Sequence, residues 1–177
     1  MTMKPVAAGV LFVALAALAL PALAGPNRID PGVVAGVYKF SFNNATVDGG
    51  PYRSEDILEI VRRSRAQAYF RFHMEFYNGH ICAAEGIAEA RGQSLVYDIH
   101  RDWQGKVCKL TLRVTPGKIV FSDPDGVCQM SFCGARGNLQ GESFARAARR
   151  PIRYMKRLLA SRQFEAAVAE YGAAHPR

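Results

Sequence analysis

The four cysteines are the residues whose spacing says most about chemistry. Cys128 and Cys133 stand close together in the stretch GVCQMSFCGARG, whereas Cys82 and Cys108 each stand alone. Structural zinc sites usually take closely spaced pairs of cysteines, and a thioredoxin-like redox centre needs Cys-x-x-Cys. The chain offers neither pattern, so its even number of cysteines favours disulfide bonds.

The N-terminal segment predicts a secretory signal peptide over residues 1–24. Lys4 precedes an apolar run from Val6 to Leu20, and Ala22 and Ala24 occupy the small-residue positions before a cleavage site. The run is short for a membrane span, so we expect a mature chain without a transmembrane segment. Cleavage near Ala24 would deliver the protein to the periplasm or outside the cell, where disulfides persist.

Short apolar segments separated by turn residues predict a mainly β domain over residues 25–141. This rhythm is typical of an antiparallel meander, and about eight sequential strands can close, or nearly close, into a small barrel that leaves few exposed edges. The second segment also has the start and spacing of a helix, and a strand is preferred there. The predicted strands are Val37–Phe42, Ile57–Arg63, Ala68–Tyr77, His80–Ala90, Ser94–His100, Val107–Thr115, Lys118–Ser122 and Val127–Cys133.

The stretch AYFRFHMEF shows the clearest alternation, with apolar side chains at every second position. This predicts one face in the core and the other in water. A three-residue turn with a left-handed Gly79 would pair Phe76 with His80, direct Cys82 inward and keep the carboxylate of Glu85 out of the core.

The predicted strands also bear on the disulfide pairing. Cys108 is in phase with the apolar positions of its strand, so Cys82 and Cys108 should face the same side. This favours the pairs Cys82–Cys108 and Cys128–Cys133, and the two other pairings stay open. Trp103, in a turn at a barrel end, is expected to cap the core, with contact to a ligand as the alternative.

Residues 142–177 predict a basic helical tail rich in alanine and arginine. Pro151 suits a first helical turn, and the apolar phase changes near Ser161, where we expect a break. If one helix runs through Pro151, six cations form a stripe that could bind an anionic surface, although a solvated face is the simpler interpretation. The six cations are Arg146, Arg149, Arg150, Arg153, Lys156 and Arg157.

Two smaller groups are further candidates for chemistry. Arg136, on the glycine-flanked corner, could pair with a carboxylate of the barrel or reach a ligand. His73, Glu75 and His80 form a compact group that could hold a metal for a metal-dependent enzyme or hydrolase. Their spacing matches no known ligand pattern, so the sequence predicts no metal and no other cofactor.

The segments NGHIC, GIA, SLVYD, CKLTL and DGVCQMSFCGARGNLQG resemble a group of small exported bacterial β-barrel proteins of undefined function. The resemblance runs from Tyr38 to Arg153. The architecture is also similar to periplasmic lysozyme inhibitors and, more distantly, to lipocalins. The Ser-Gly-x-x-Tyr loop of the inhibitors is absent, so no inhibitory residue can be assigned.

Charge and composition favour a binding protein of the bacterial envelope. Removing residues 1–24 lowers the formal charge from +8 to +7, and a basic balance suits an anionic envelope component or a protein partner rather than a specific nucleic acid. We therefore expect a non-enzymatic binder, such as an inhibitor or an anionic-ligand binder. The alternatives are an enzyme that uses His73, Glu75 and His80, and a structural protein anchored by its basic tail.

The exported protein should begin at Gly25 and carry no free thiol, because an oxidising compartment pairs an even number of cysteines. Intact-mass measurement before and after alkylation tests both points. Four thiols that react without prior reduction would contradict the expectation.

Overall fold

The structure is a computed structural model that describes residues 28–102 and 104–176. The predicted signal peptide at 1–24 and Trp103 lie outside the described residues. The described strands are β1 (Gly36–Ala45), β2 (Pro51–Arg62), β3 (Gln67–Phe76), β4 (His80–Arg91), β5 (Ser94–Tyr97), β6 (Leu110–Val114), β7 (Lys118–Ser122) and β8 (Ser143–Ala145). The described α-helices are α1 (Val127–Phe132), α2 (Met155–Leu159) and α3 (Arg162–Ala174).

Each strand pairs antiparallel with the next one along the chain, in the order β1 to β8. The sheet curls into a nearly closed barrel. Beyond β8, Arg150 exchanges two backbone hydrogen bonds with Val37 of β1, at N···O distances of 2.8 and 2.9 Å. The predicted mainly β meander with C-terminal helices is therefore confirmed. The second predicted segment forms the strand β2, as preferred, and not a helix.

The last predicted strand, Val127–Cys133, is wrong, because this segment forms α1. The buried carboxylate of Asp123 accepts hydrogen bonds from the backbone N–H of Cys128, at 3.2 Å, and of Gln129, at 2.7 Å. These bonds satisfy N–H groups that a helix start leaves without a partner. The eighth strand is β8 instead, so the barrel includes residues of the segment predicted as tail.

The disulfides join Cys82 to Cys133 and Cys108 to Cys128. The pairing favoured from the sequence is wrong, although Cys82 and Cys108 are both buried in the barrel core as predicted. Cys128 lies in the first turn of α1 and Cys133 directly after its end, and the two bond to different parts of the barrel. Gly137 packs so closely on one bond that a Cβ there would lie 2.4 Å from the sulfur of Cys82.

The inner face of the barrel is filled by large side chains, which confirms the alternation predicted for β3. Phe70 and Phe72 are buried to 1% exposure or less. Their rings meet those of Tyr97 and Phe121 at centroid distances of 5.3 and 5.2 Å. Gly86 makes room for this packing, since a Cβ there would lie 2.5 Å from the Tyr97 ring.

The predicted register between β3 and β4 is also confirmed. Phe76 pairs with His80, across a turn in which Gly79 has a φ of 70°. Glu85 consequently lies on the outer face of the barrel, directly opposite Arg71 of β3.

The outer face of β2, β3 and β4 is not solvated as expected, because the C-terminal segment packs on it. The chain breaks between α2 and α3 as predicted, and the hydroxyl of Ser161 accepts a hydrogen bond from the N–H of Phe164 at 3.3 Å. A second apolar cluster joins the sheet to this segment through Val37, Val61, Tyr69, Ile87, Ile152, Leu158 and Ala167.

Phe72→Ala should lower the free energy of unfolding by about 3–5 kcal/mol, because it leaves a cavity in the barrel core. His73→Ala should change it by less than about 0.5 kcal/mol, since that side chain is 43% exposed. Urea denaturation of both variants measures the difference. Equal losses would mean that the two faces of β3 are assigned wrongly.

Candidate functional site

The six cations of the tail do not lie on one helix, so the predicted stripe is wrong. A proline disfavours helical backbone in the residue before it, and Arg150, before Pro151, is extended and bonded to β1. The guanidinium groups of Arg146 and Arg149 donate to the backbone carbonyls of Thr115 and Val33 at 3.1 and 2.8 Å. These arginines hold the tail against the barrel.

The other predicted cations lie at the surface. Arg153 and Lys156 are exposed. The guanidinium groups of Arg136 and Arg157 each lie 5.4 Å from the centroid of a tyrosine ring. Arg136 therefore contacts the ring of Tyr77, and no carboxylate of the described residues forms an ion pair with it.

His73, Glu75 and His80 do not converge on one point. His73 Nε2 lies 3.6 Å from Glu75 Oε1 on the outer face, whereas His80 pairs with Phe76 and shares its inward phase. Across residues 28–102 and 104–176, no group of three His, Cys, Asp or Glu side chains is suited to hold a metal ion.

A cleft of about 440 Å³ lies between the outer face of the barrel and the C-terminal segment. We call it the outer cleft. Strands β1 to β4 form one wall, and residues from Tyr154 to Gln163 form the other. The charged groups that line it are Lys39, Glu59, Arg71, Glu85 and Arg157.

Glu59 is the fixed centre of the outer cleft. Its side chain is only 3% exposed, and a buried carboxylate needs compensating partners. Arg71 donates from Nε to one carboxylate oxygen at 2.5 Å, and the hydroxyl of Tyr154 donates to the other. Burial, together with the bond to Glu59, raises the pKa of Tyr154 to about 12. Tyr154 therefore stays protonated at neutral pH and ties the tail to the sheet.

Arg71 presents a guanidinium of fixed orientation to the outer cleft. Glu59 engages its Nε and raises the pKa of Arg71. The two terminal nitrogens make no hydrogen bond with another described residue. Burial raises the pKa of the neighbouring Glu85, the charge of Arg71 lowers it, and the nearby Glu170 raises it. Among the charged groups that line the cleft, the three cations outnumber the two carboxylates.

A smaller cleft of about 340 Å³ lies further along α3 and shares Glu85 with the outer cleft. Glu170 of α3 accepts a hydrogen bond from the hydroxyl of Tyr97 at 2.8 Å and lies 3.3 Å from His100 Nδ1. Burial and this bond raise the pKa of Tyr97. The three groups fix α3 to the barrel wall.

Sequence reasoning missed Glu59 and Arg71, because it treats outward positions of an antiparallel strand as solvated. One signal could have found them. Glu59 is the only charged residue between Ile57 and Val61, and an acid within an apolar run needs a partner if that run is buried.

Comparisons with models of known families, with curated proteins and with solved structures found no match. The two disulfides suggest an extracellular or periplasmic protein. In the described part of the chain, no helix combines the length and the apolar character needed to cross a membrane.

Tyr69→Phe should raise the free energy of unfolding by about 1 kcal/mol. The hydroxyl of Tyr69 is buried and finds no hydrogen-bond partner among the described residues. The ring, which packs edge-on against Phe164 at 5.1 Å, is retained. Urea denaturation checks this, with Tyr154→Phe as the matched control that should lose stability. A loss in Tyr69→Phe would reveal a partner for its hydroxyl.

Proposed function

We propose that the protein is an exported, non-enzymatic binding protein of the bacterial envelope, and that its outer cleft binds the anionic group of a ligand. The observation that carries this proposal is the fixed guanidinium of Arg71. Its Nε is engaged by Glu59, so its terminal N–H groups remain for a carboxylate or a phosphate. Guanidinium groups bind both anions through paired hydrogen bonds.

The surroundings of Arg71 support the same interpretation. Arg157 is exposed and lines the cleft, so it can supply a second cation without disturbing the fold. The formal charge of +7 that remains without residues 1–24 favours the approach of anions from a distance. Because Glu59 already holds Arg71 in place, binding an anion costs little side-chain entropy.

The hydrogen bonding of Glu59 favours binding over catalysis. Both of its oxygens accept hydrogen bonds within the protein, whereas a general base must be within hydrogen-bond reach of the substrate proton that it removes. The carboxylate therefore positions Arg71 and Tyr154.

Arg157→Gln should weaken anion binding by about fivefold, which corresponds to roughly 1 kcal/mol for one cation. Arg113→Gln is the matched control, because Arg113 is also exposed but lies on β6, outside the cleft. Calorimetric titration with inorganic phosphate and with glucuronate, and co-sedimentation with phosphatidylglycerol vesicles, distinguish a free anion from a lipid surface.

Arg71→Lys sharpens the test, because it keeps the charge next to Glu59 but removes the paired N–H groups. It should abolish phosphate and glucuronate binding while the circular dichroism spectrum stays native. Equal affinities in the wild type, Arg157→Gln and Arg71→Lys would contradict the proposal, as would binding that does not weaken as salt rises.

A further inference from the structure

The barrel is open along most of one edge of β1. All ten residues of β1 pair with β2 on one side. On the other side, only Val37 is bonded to a described residue, Arg150. The strand β8, which would have to close the barrel, is three residues long and pairs with β7. The edge from Lys39 to Ala45 therefore has no strand partner within the described residues.

The backbone groups on this edge can be assigned from the pairing. In an antiparallel ladder, successive residues direct their N–H and C=O groups to opposite sides. Because Val37 bonds towards Arg150, the groups of Lys39, Ser41 and Asn43 point the same way. No backbone hydrogen bond to a described residue uses them on that side. Such an edge is a template for another extended segment.

Two phenylalanines on the inward face of β1 are exposed or partly exposed to solvent at the opening of the barrel. Phe40 and Phe42 are in phase with Tyr38, which faces the core and is fully buried. Phe40 is nevertheless 59% exposed, and Phe42 is half-buried. Their rings stack at a centroid distance of 5.6 Å. An added strand would cover this pair with its own inward side chains.

One carboxyl group lies beside the phenylalanines, and a second lies near the first. Asp56 pairs with Phe40 across β1 and β2 and so shares its inward phase. Burial, opposed by the hydrogen bond from the N–H of Glu75 and aided by the nearby carboxylate of Glu142, which precedes β8, raises the pKa of Asp56 to about 6. Burial also raises the pKa of Glu142. A lysine or arginine side chain would stabilise both carboxylates in their ionised form.

We propose that this opening, the seam site, binds an extended peptide segment of a partner protein as an added strand on β1. The seam site consists of the β1 edge from Lys39 to Ala45 together with Phe40, Phe42, Asp56 and Glu142. The bound segment places an apolar side chain on the phenylalanines and, two residues further on, a lysine or arginine beside the carboxylates. This proposal is independent of the outer cleft.

The geometry specifies the peptide. The bridge between Val37 and Arg150 is antiparallel, so an added strand that continues it runs antiparallel to β1. The free edge spans seven residues, from Lys39 to Ala45. With the first peptide residue opposite Ala45, the fourth faces Phe42 and the sixth faces Phe40, whose partner on β2 is Asp56. The probe is therefore a seven-residue peptide with phenylalanine fourth, lysine sixth and threonine elsewhere.

The probe peptide, followed by fluorescence anisotropy, should bind the wild type at pH 7.5. Asp56→Asn should weaken it by about fivefold, because the amide keeps the hydrogen bond that Asp56 accepts from the N–H of Glu75 but loses the charge. Glu55→Gln is the matched control, since it removes a carboxylate from the other face of the same strand. It should leave the affinity unchanged.

The dependence on pH gives a second measurement. Asp56 is charged above a pH of about 6, so affinity should fall as the pH drops below that value. The titratable groups that influence Asp56 are His73 and Glu75 of β3 and Glu142, which precedes β8. In Asp56→Asn, the affinity for the probe peptide should fall less between pH 7.5 and pH 5 than it does in the wild type.

Two peptide controls separate an added strand from charge attraction alone. Proline at the third and fifth peptide positions removes the N–H groups that would pair with Asn43 and Ser41, and it should abolish binding. A peptide with glutamate in place of the lysine at the sixth position should also fail to bind. Amide hydrogen exchange at Lys39, Ser41 and Asn43 should slow when the probe is bound. No binding of the probe, equal binding of the proline peptide or unchanged exchange would each overturn the proposal.

Discussion

The packing of large side chains inside the barrel is the constraint on which the rest of this structure depends. Phe70, Phe72, Tyr97 and Phe121 meet at the centre, and the site opposite them accepts only a glycine, Gly86. A filled interior leaves the outer surface and the open edge as places for a partner. Both candidate sites lie there, one beneath the tail and one beside β1.

The tail is a second layer of the fold rather than an independent arm. It covers apolar residues on the outer face, and this cover is what buries Glu59. Burying a carboxylate costs several kcal/mol unless partners offset the loss of water, and here Arg71 and Tyr154 do so. The same contacts that stabilise the tail therefore orient the cleft. Stability and the proposed binding chemistry share one set of residues.

The features that could be predicted from the sequence are those set by neighbours along the chain. The alternation in β3 and the turn at Gly79 together determine the pairing of Phe76 with His80, and the structure confirms both. The helix α1 depends on capping by Asp123. The apolar residues that follow Asp123 led instead to the prediction of a strand. The outer cleft depends on contact between Glu59 and Tyr154, which stand 95 positions apart. The spacing of apolar residues along the chain does not predict where a distant segment packs.

The two disulfides are nested, since Cys108–Cys128 lies within the span of Cys82–Cys133. The exposed turn at Pro116 lies inside both loops. A protease that cuts the backbone at this turn would therefore leave the two fragments joined by two covalent links. The nicked protein would differ in mass from the intact one only by the water added at the cut. In a compartment that contains proteases, it would retain β6 and β7 on the barrel.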